Sequence, residues 1–151
     1  MFNRCADKPS MTSANQAFDE NNGILTLLRR EEREANMLRS LGNCMGVEFT
    51  PKSLPLPGGG VMEIDGFSAK ANTVCEVCAA DGVLTEDEAE ILMLNTLKLR
   101  YAAHSLGNTV RRILLFRSER TALDFCGRRS VQQAMGDDMS LEVCVLAAAA
   151  A

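Results

Sequence analysis

Three patterns in this sequence predict an α/β fold with a mixed central sheet flanked by helices, in the order α-β-β-β-α-β-α-β. Helical spacing recurs over Ile24 to Met45 and again after Thr85. Short apolar runs of strand length lie between and beyond, at Val61 to Ser68, Thr73 to Ala79, Arg111 to Phe116 and Leu141 to Leu146. Turn-forming residues separate each run from the next.

The elements follow in order. Leu27, Leu28, Ala35, Leu38 and Leu41 mark one face of a first helix, which Gly42 or Gly46 closes. A short β-like run, Val47 to Thr50, leads into Pro51 to Gly60, where prolines and three consecutive glycines predict a loop. The next two runs are joined by Ala69-Lys70-Ala71-Asn72, a hairpin-length link with a turn-tolerant asparagine. Thr85 and Glu88 have capping-box spacing, and Ile91, Leu92, Asn95, Leu99 and Ala102 mark a face of a second helix running to about Ser105. Leu92, Met93, Leu94 and Leu97 on that helix read as core. Arg111 to Phe116 is a buried strand, Ser118 caps a helix over Glu119 to Cys126, another runs from about Ser130 to Gly136, and Leu141 to Leu146 is a last strand.

A chain of 151 residues with 46% hydrophobic content supports one domain, expected over residues 24–146, with residues 1–23 a disordered lead-in and 147–151 a low-complexity alanine tail. The net charge of −4 excludes a chain-wide basic field for nonspecific nucleic-acid binding. Arginine is concentrated locally, first at Arg29, Arg30, Arg33 and Arg39, where interspersed acids favour a solvated helix face. The sequence reads without a membrane-spanning or secretory segment, and the expectation is a cytoplasmic protein with its six cysteines as free thiols. The oligomeric state is not legible.

Side chains alternate along a strand, so Glu76 and Cys78 face one way and Cys75 and Val77 the other. Asp65, on the partner strand of the hairpin, shares a site with Glu76 on this reading. Two carboxylates meet the needs of a hard divalent cation such as Mg²⁺, the usual agent of phosphodiester hydrolysis. Plainer readings exist for several of these residues: Asp65-Gly66 is also a common turn pair, and Thr85 explains Glu88 locally as a cap. Cys75-x-x-Cys78 sends its sulfurs to opposite faces, against a zinc site, and His104 sits late in a helix. Asp81 to Glu88 matches the second half of a calcium loop, but Val77 and Ala79 stand where its first ligands belong.

Asp65, then Glu76-Val77-Cys78, within this order of elements, resembles the PD-(D/E)XK, or restriction-endonuclease-like, superfamily. More narrowly, Met62 to Gly66, Cys75 to Ala79 and the helix from Leu84 through Asn95 to Leu99 look like its small bacterial members. The resemblance implies a nuclease acting on nucleic acid, with Asp65, Glu76 and the Val77 carbonyl as Mg²⁺ ligands and Glu34 and Glu88 as outer-shell acids. Such proteins carry a lysine two residues after the glutamate or on the following helix. Here the first position is Cys78, and the aligned helix positions are Glu88 and Ile91. Lys98 is about two turns further on, about 10 Å along a helix axis. The site is therefore read as degenerate, its usual catalytic lysine missing, with Lys98 or a metal-bound water as the base left to it; the alternative is a non-catalytic interaction or structural module on the same fold.

Overall fold

A computed structural model of the chain describes residues 13–136, 138 and 140–146, with side chains from residue 23 onward. Its elements are α1 (Ser13–Met45), β1 (Thr50–Pro55), β2 (Val61–Ser68), β3 (Thr73–Cys78), α2 (Glu86–Ser105), β4 (Arg111–Phe116), α3 (Glu119–Gly127), α4 (Arg129–Met135) and β5 (Leu141–Val145). The expected order is present. One five-stranded sheet runs β1-β2-β3-β4-β5, antiparallel from β1 to β3 and parallel from β3 to β5. Turn-joined strands pair antiparallel and helix-joined strands parallel, as connection length requires.

Strand alternation divides the core between the two faces. Met37 and Leu41 of α1 pack on Cys75, Val77, Ile113 and Leu115. On the opposite face Leu92, Leu99, Phe125 and Val131, from α2 to α4, cover Val74, Leu114 and Phe116. All six residues of β3 are buried, so any polar side chain there must be satisfied from within.

Several boundaries differ from those read in the sequence, each for a physical reason. Residues 13–23, expected in a disordered lead-in, continue α1 toward the N-terminus; residues 1–12 and the alanine tail lie outside the described residues. Of the expected α1 face only the C-terminal part packs: Leu27 and Leu28 remain 55% and 53% exposed, because that half of the helix runs past the sheet. Leu94 and Leu97, read as core, are 60% and 56% exposed. The first strand falls within the expected loop, since an edge strand needs hydrogen bonds on one side only and therefore tolerates Pro51 and Pro55. The loop shrinks to the residues around Gly58–Gly60, all at positive φ.

The start of α2 is the element that the sequence specifies most completely. The Thr85 hydroxyl accepts from the Glu88 N–H, and the Glu88 carboxylate accepts from the Thr85 N–H at 2.7 Å. With Gly82 at φ 91° and its carbonyl bonded by the Thr121 hydroxyl, the half calcium loop is a turn and cap.

Candidate acidic site and the crevice beside it

Two local irregularities build the site. The β1/β2 register passes from Thr50 opposite Phe67 to Lys52 opposite Ile64, so β2 carries one extra residue in the stretch Asp65-Gly66, across from Pro51. Proline has no N–H to lose there. Both Ile64 and Phe67 consequently face the α2 side, and Asp65 is re-aimed between them. Gly66 lets Leu38 and Phe49 pack close at this bulge: a Cβ would stand 2.8 Å from Leu38 Cδ2 and 3.3 Å from Phe49 Cβ, so both side chains would have to shift.

The β2/β3 ladder in turn is short, holding only Ser68–Thr73, Phe67–Val74 and Gly66–Cys75. Where it ends, side chains replace backbone partners. The Asp65 N–H donates to Glu76 Oε1 at 3.1 Å, and the Val77 N–H donates to Asp65 Oδ2 at 2.9 Å. A residue in a strand presents its N–H and C=O to the same neighbour, so the Val77 carbonyl also faces the parted strands.

Lys98 completes the group from α2, with Nζ 3.1 Å from both Glu76 Oε1 and Oε2. The distance estimated along the helix from the expected position is bridged because the lysine stem is long and α2 lies directly over β3. Glu76 is 1% exposed. Burial first, and then the negative charge of Asp65, push its carboxyl up to about 7, against the opposing pull of Lys98. Burial and the same two carboxylates also raise the Cys75 thiol.

The other expected residues are placed as follows. Glu34 accepts from Arg30 Nε at 3.0 Å on its own helix, and Glu88 is engaged by the α2 cap; among the described residues neither bonds to Asp65 or Glu76. Cys75 and Cys78 lie in different core clusters on opposite faces. His104 is exposed at the end of α2, 3.3 Å from Asn108.

Sequence reasoning passed over the crevice next to the site. It has a volume of about 420 Å³ and lies outside the C-terminal end of β3, at Val77 to Ala80. Its two walls come from opposite layers of the fold, the overhanging half of α1 and the first turns of α2. Open parallel sheets place ligands at such strand ends. Thr26, Arg29, Arg30 and Arg33 form the α1 wall, at the i, i+3, i+4, i+7 spacing of one helix face. That spacing was the available signal.

Comparison of the chain with known protein families, curated proteins and solved structures finds no match.

Proposed function

We propose that this chain is a PD-(D/E)XK-type nuclease domain, hydrolysing nucleic-acid phosphodiesters with a divalent cation held by Asp65, Glu76 and the Val77 carbonyl. The observation that carries the reading is the convergence of Asp65, buried Glu76 and Lys98 where β2 and β3 part. These donors are all oxygen and only two are carboxylates, which suits Mg²⁺ with water in the rest of its shell. Among the described residues no cluster of three or more His, Cys, Asp or Glu suggests a softer or fully enclosed ion.

In the reaction one P–O bond forms to the oxygen of a water and one P–O ester bond breaks; the water gives up a proton and the leaving oxygen takes one. A bound Mg²⁺ would supply Lewis-acid stabilisation of the phosphoryl charge and a more acidic water. Glu76 must be ionised to act as a ligand, and Lys98 favours that form against the burial and the Asp65 charge that oppose it. With Glu76 serving a bound cation, the Lys98 ammonium beside it would be placed to stabilise charge developing on a substrate phosphate. The lysine so often found beside the glutamate is thus supplied from α2. A cytoplasmic, thiol-reducing location accompanies this reading, supported by free Cys44, Cys75, Cys78, Cys126 and Cys144. No described helix is long and apolar enough to cross a membrane.

One observation favours a second reading, a non-catalytic module on the same fold. Among the described residues every buried side-chain nitrogen and oxygen already has a partner, Glu76 included. Incubating single-stranded and duplex oligonucleotides with wild type, Asp65→Asn and Lys98→Met separates the two. The nuclease reading expects cleavage with Mg²⁺ or Mn²⁺, none in EDTA, and a loss of about 10²-fold or more in each variant. Cleavage equal in all three proteins, or absent from wild type with either metal, overturns it.

A further inference from the structure

Arg29, Arg30 and Arg33 all line the crevice, whereas Glu31 and Glu32, between them in sequence, do not. The α1 face turned toward the site is therefore cationic although the segment as a whole is balanced. Arg30 is tied to Glu34; among the described residues Arg29 and Arg33 form no ion pair with a carboxylate. Buried Leu84 and Leu92 with half-exposed Ile91 give an apolar surface, and Asn95 offers both a donor and an acceptor. Glu88, the acid in this lining, is engaged by the Thr85 N–H.

The crevice lies beside the acidic site, sharing Val77 with it, while Asp65, Glu76 and Lys98 stand outside its lining. Cys78 follows Glu76 on the same face of β3, and Asn95 precedes Lys98 by about one turn of α2. A phosphate at the acidic site thus has a neighbouring nucleotide within reach of the crevice. At about 420 Å³ the space is of small-ligand size and closed on two sides by helices, so it admits one unstacked base and excludes a duplex.

We infer that the crevice binds one unpaired nucleotide next to the scissile phosphate, its base between Ile91 and Asn95 and its phosphate on Arg29 and Arg33, making the substrate single-stranded nucleic acid. The assignment rests on the nuclease reading above for the scissile phosphate alone. Nonspecific single-strand binding combines such a cationic track with flat surfaces for bases, and arginine itself stacks on bases. The apolar wall replaces aromatic platforms, and this limits affinity more than it limits selectivity.

Fluorescence anisotropy in EDTA with a labelled single-stranded oligonucleotide, and with the same sequence as a hairpin duplex, tests this without cleavage. The comparison uses wild type, the double variant Arg29→Glu/Arg33→Glu, and Ile91→Trp, which fills the crevice without changing charge. Both substitutions are at exposed positions, and circular dichroism checks the fold. Wild type should prefer the single strand by about tenfold; each variant should lose about that factor on the single strand, and the charge variant should also flatten the salt dependence by about one unit of slope per lost phosphate contact. Equal binding of both forms, or unaltered single-strand binding in both variants, overturns the proposal. Metal-dependent cleavage persisting in that case leaves the nuclease reading standing; selective binding without any cleavage defeats the nuclease reading and keeps the crevice.

Discussion

Two acids of this molecule, buried Glu76 and partly exposed Asp138, each face one cation, and their carboxyls move in opposite directions. Asp138 accepts both arms of Arg112, at 2.6 and 2.9 Å, and the hydrogen bonds from that guanidinium hold its carboxyl below the usual range. Glu76 has Lys98 at 3.1 Å, yet its carboxyl is pushed upward by burial and by Asp65. The planar fork of an arginine satisfies a carboxylate completely, whereas a lysine is a single point charge on a flexible stem. The first pair therefore reads as structure, pinning the segment before β5 to β4. In the second, an excess of negative charge is held in the core, an arrangement typical of functional sites.

The comparison breaks most visibly in the pH dependence of stability without metal. Glu76, with a folded value of about 7 against 4.5 for an ordinary glutamate, binds more protons in the native state than in the unfolded one between those values. Its contribution is therefore present at low pH and is lost as pH rises through that window, by about 3 kcal/mol at most. Asp138, lowered in the folded state, has the reverse sign: its contribution is present above the unfolded value and lost as pH falls through the folded one. Urea melts at several pH values should show the Glu76 loss in wild type and its absence in Glu76→Gln. A flat difference between these two proteins would mean that Glu76 titrates normally.

Neutralising each acid sharpens the contrast, since the two substitutions should differ in sign. Asp138→Asn should destabilise by about 2 kcal/mol at pH 7, through loss of charged hydrogen bonds to Arg112. Glu76→Gln should stabilise by about 1 kcal/mol at pH 8, because relief of the buried charge exceeds the lost bond to Lys98. Removing the lysine instead, as Lys98→Met, should cost about 1–2 kcal/mol at pH 8 and less at pH 5, where Glu76 is protonated; the figure is discounted because the Lys98 side chain is 29% exposed. Equal costs at the two pH values would show that only packing had been lost. The smallest effect belongs to Arg111→Ala. Its pair with Glu142 joins two side chains 49% and 41% exposed, and the melt should shift by no more than about 0.5 kcal/mol.

Patterns with local causes were legible in the sequence. The Thr85/Glu88 cap, the Ala69 to Asn72 turn and the alternation separating Cys75 from Cys78 all depend on residues a few positions apart. Asp65 and Glu76 could be paired for the same reason, by counting across a hairpin. Less accessible were features set by distant neighbours. Pro51 reads as a strand breaker until β1 is known to be an edge strand opposite a bulge. Lys98 looks misplaced until α2 is laid over β3. Likewise Leu27 and Leu28 follow a core pattern, but the sheet ends before they can reach it. The same overhang converts an apparently solvated arginine cluster into one wall of a crevice.

Calorimetric titration of Mg²⁺ into wild type and Glu76→Gln at pH 8, where Glu76 is ionised, tests the central claim most directly. A two-carboxylate site predicts a saturable binding isotherm in wild type that disappears in the variant and weakens at pH 6, as protons compete for Glu76. Absence of binding in wild type, or an isotherm unchanged by Glu76→Gln, would contradict the account.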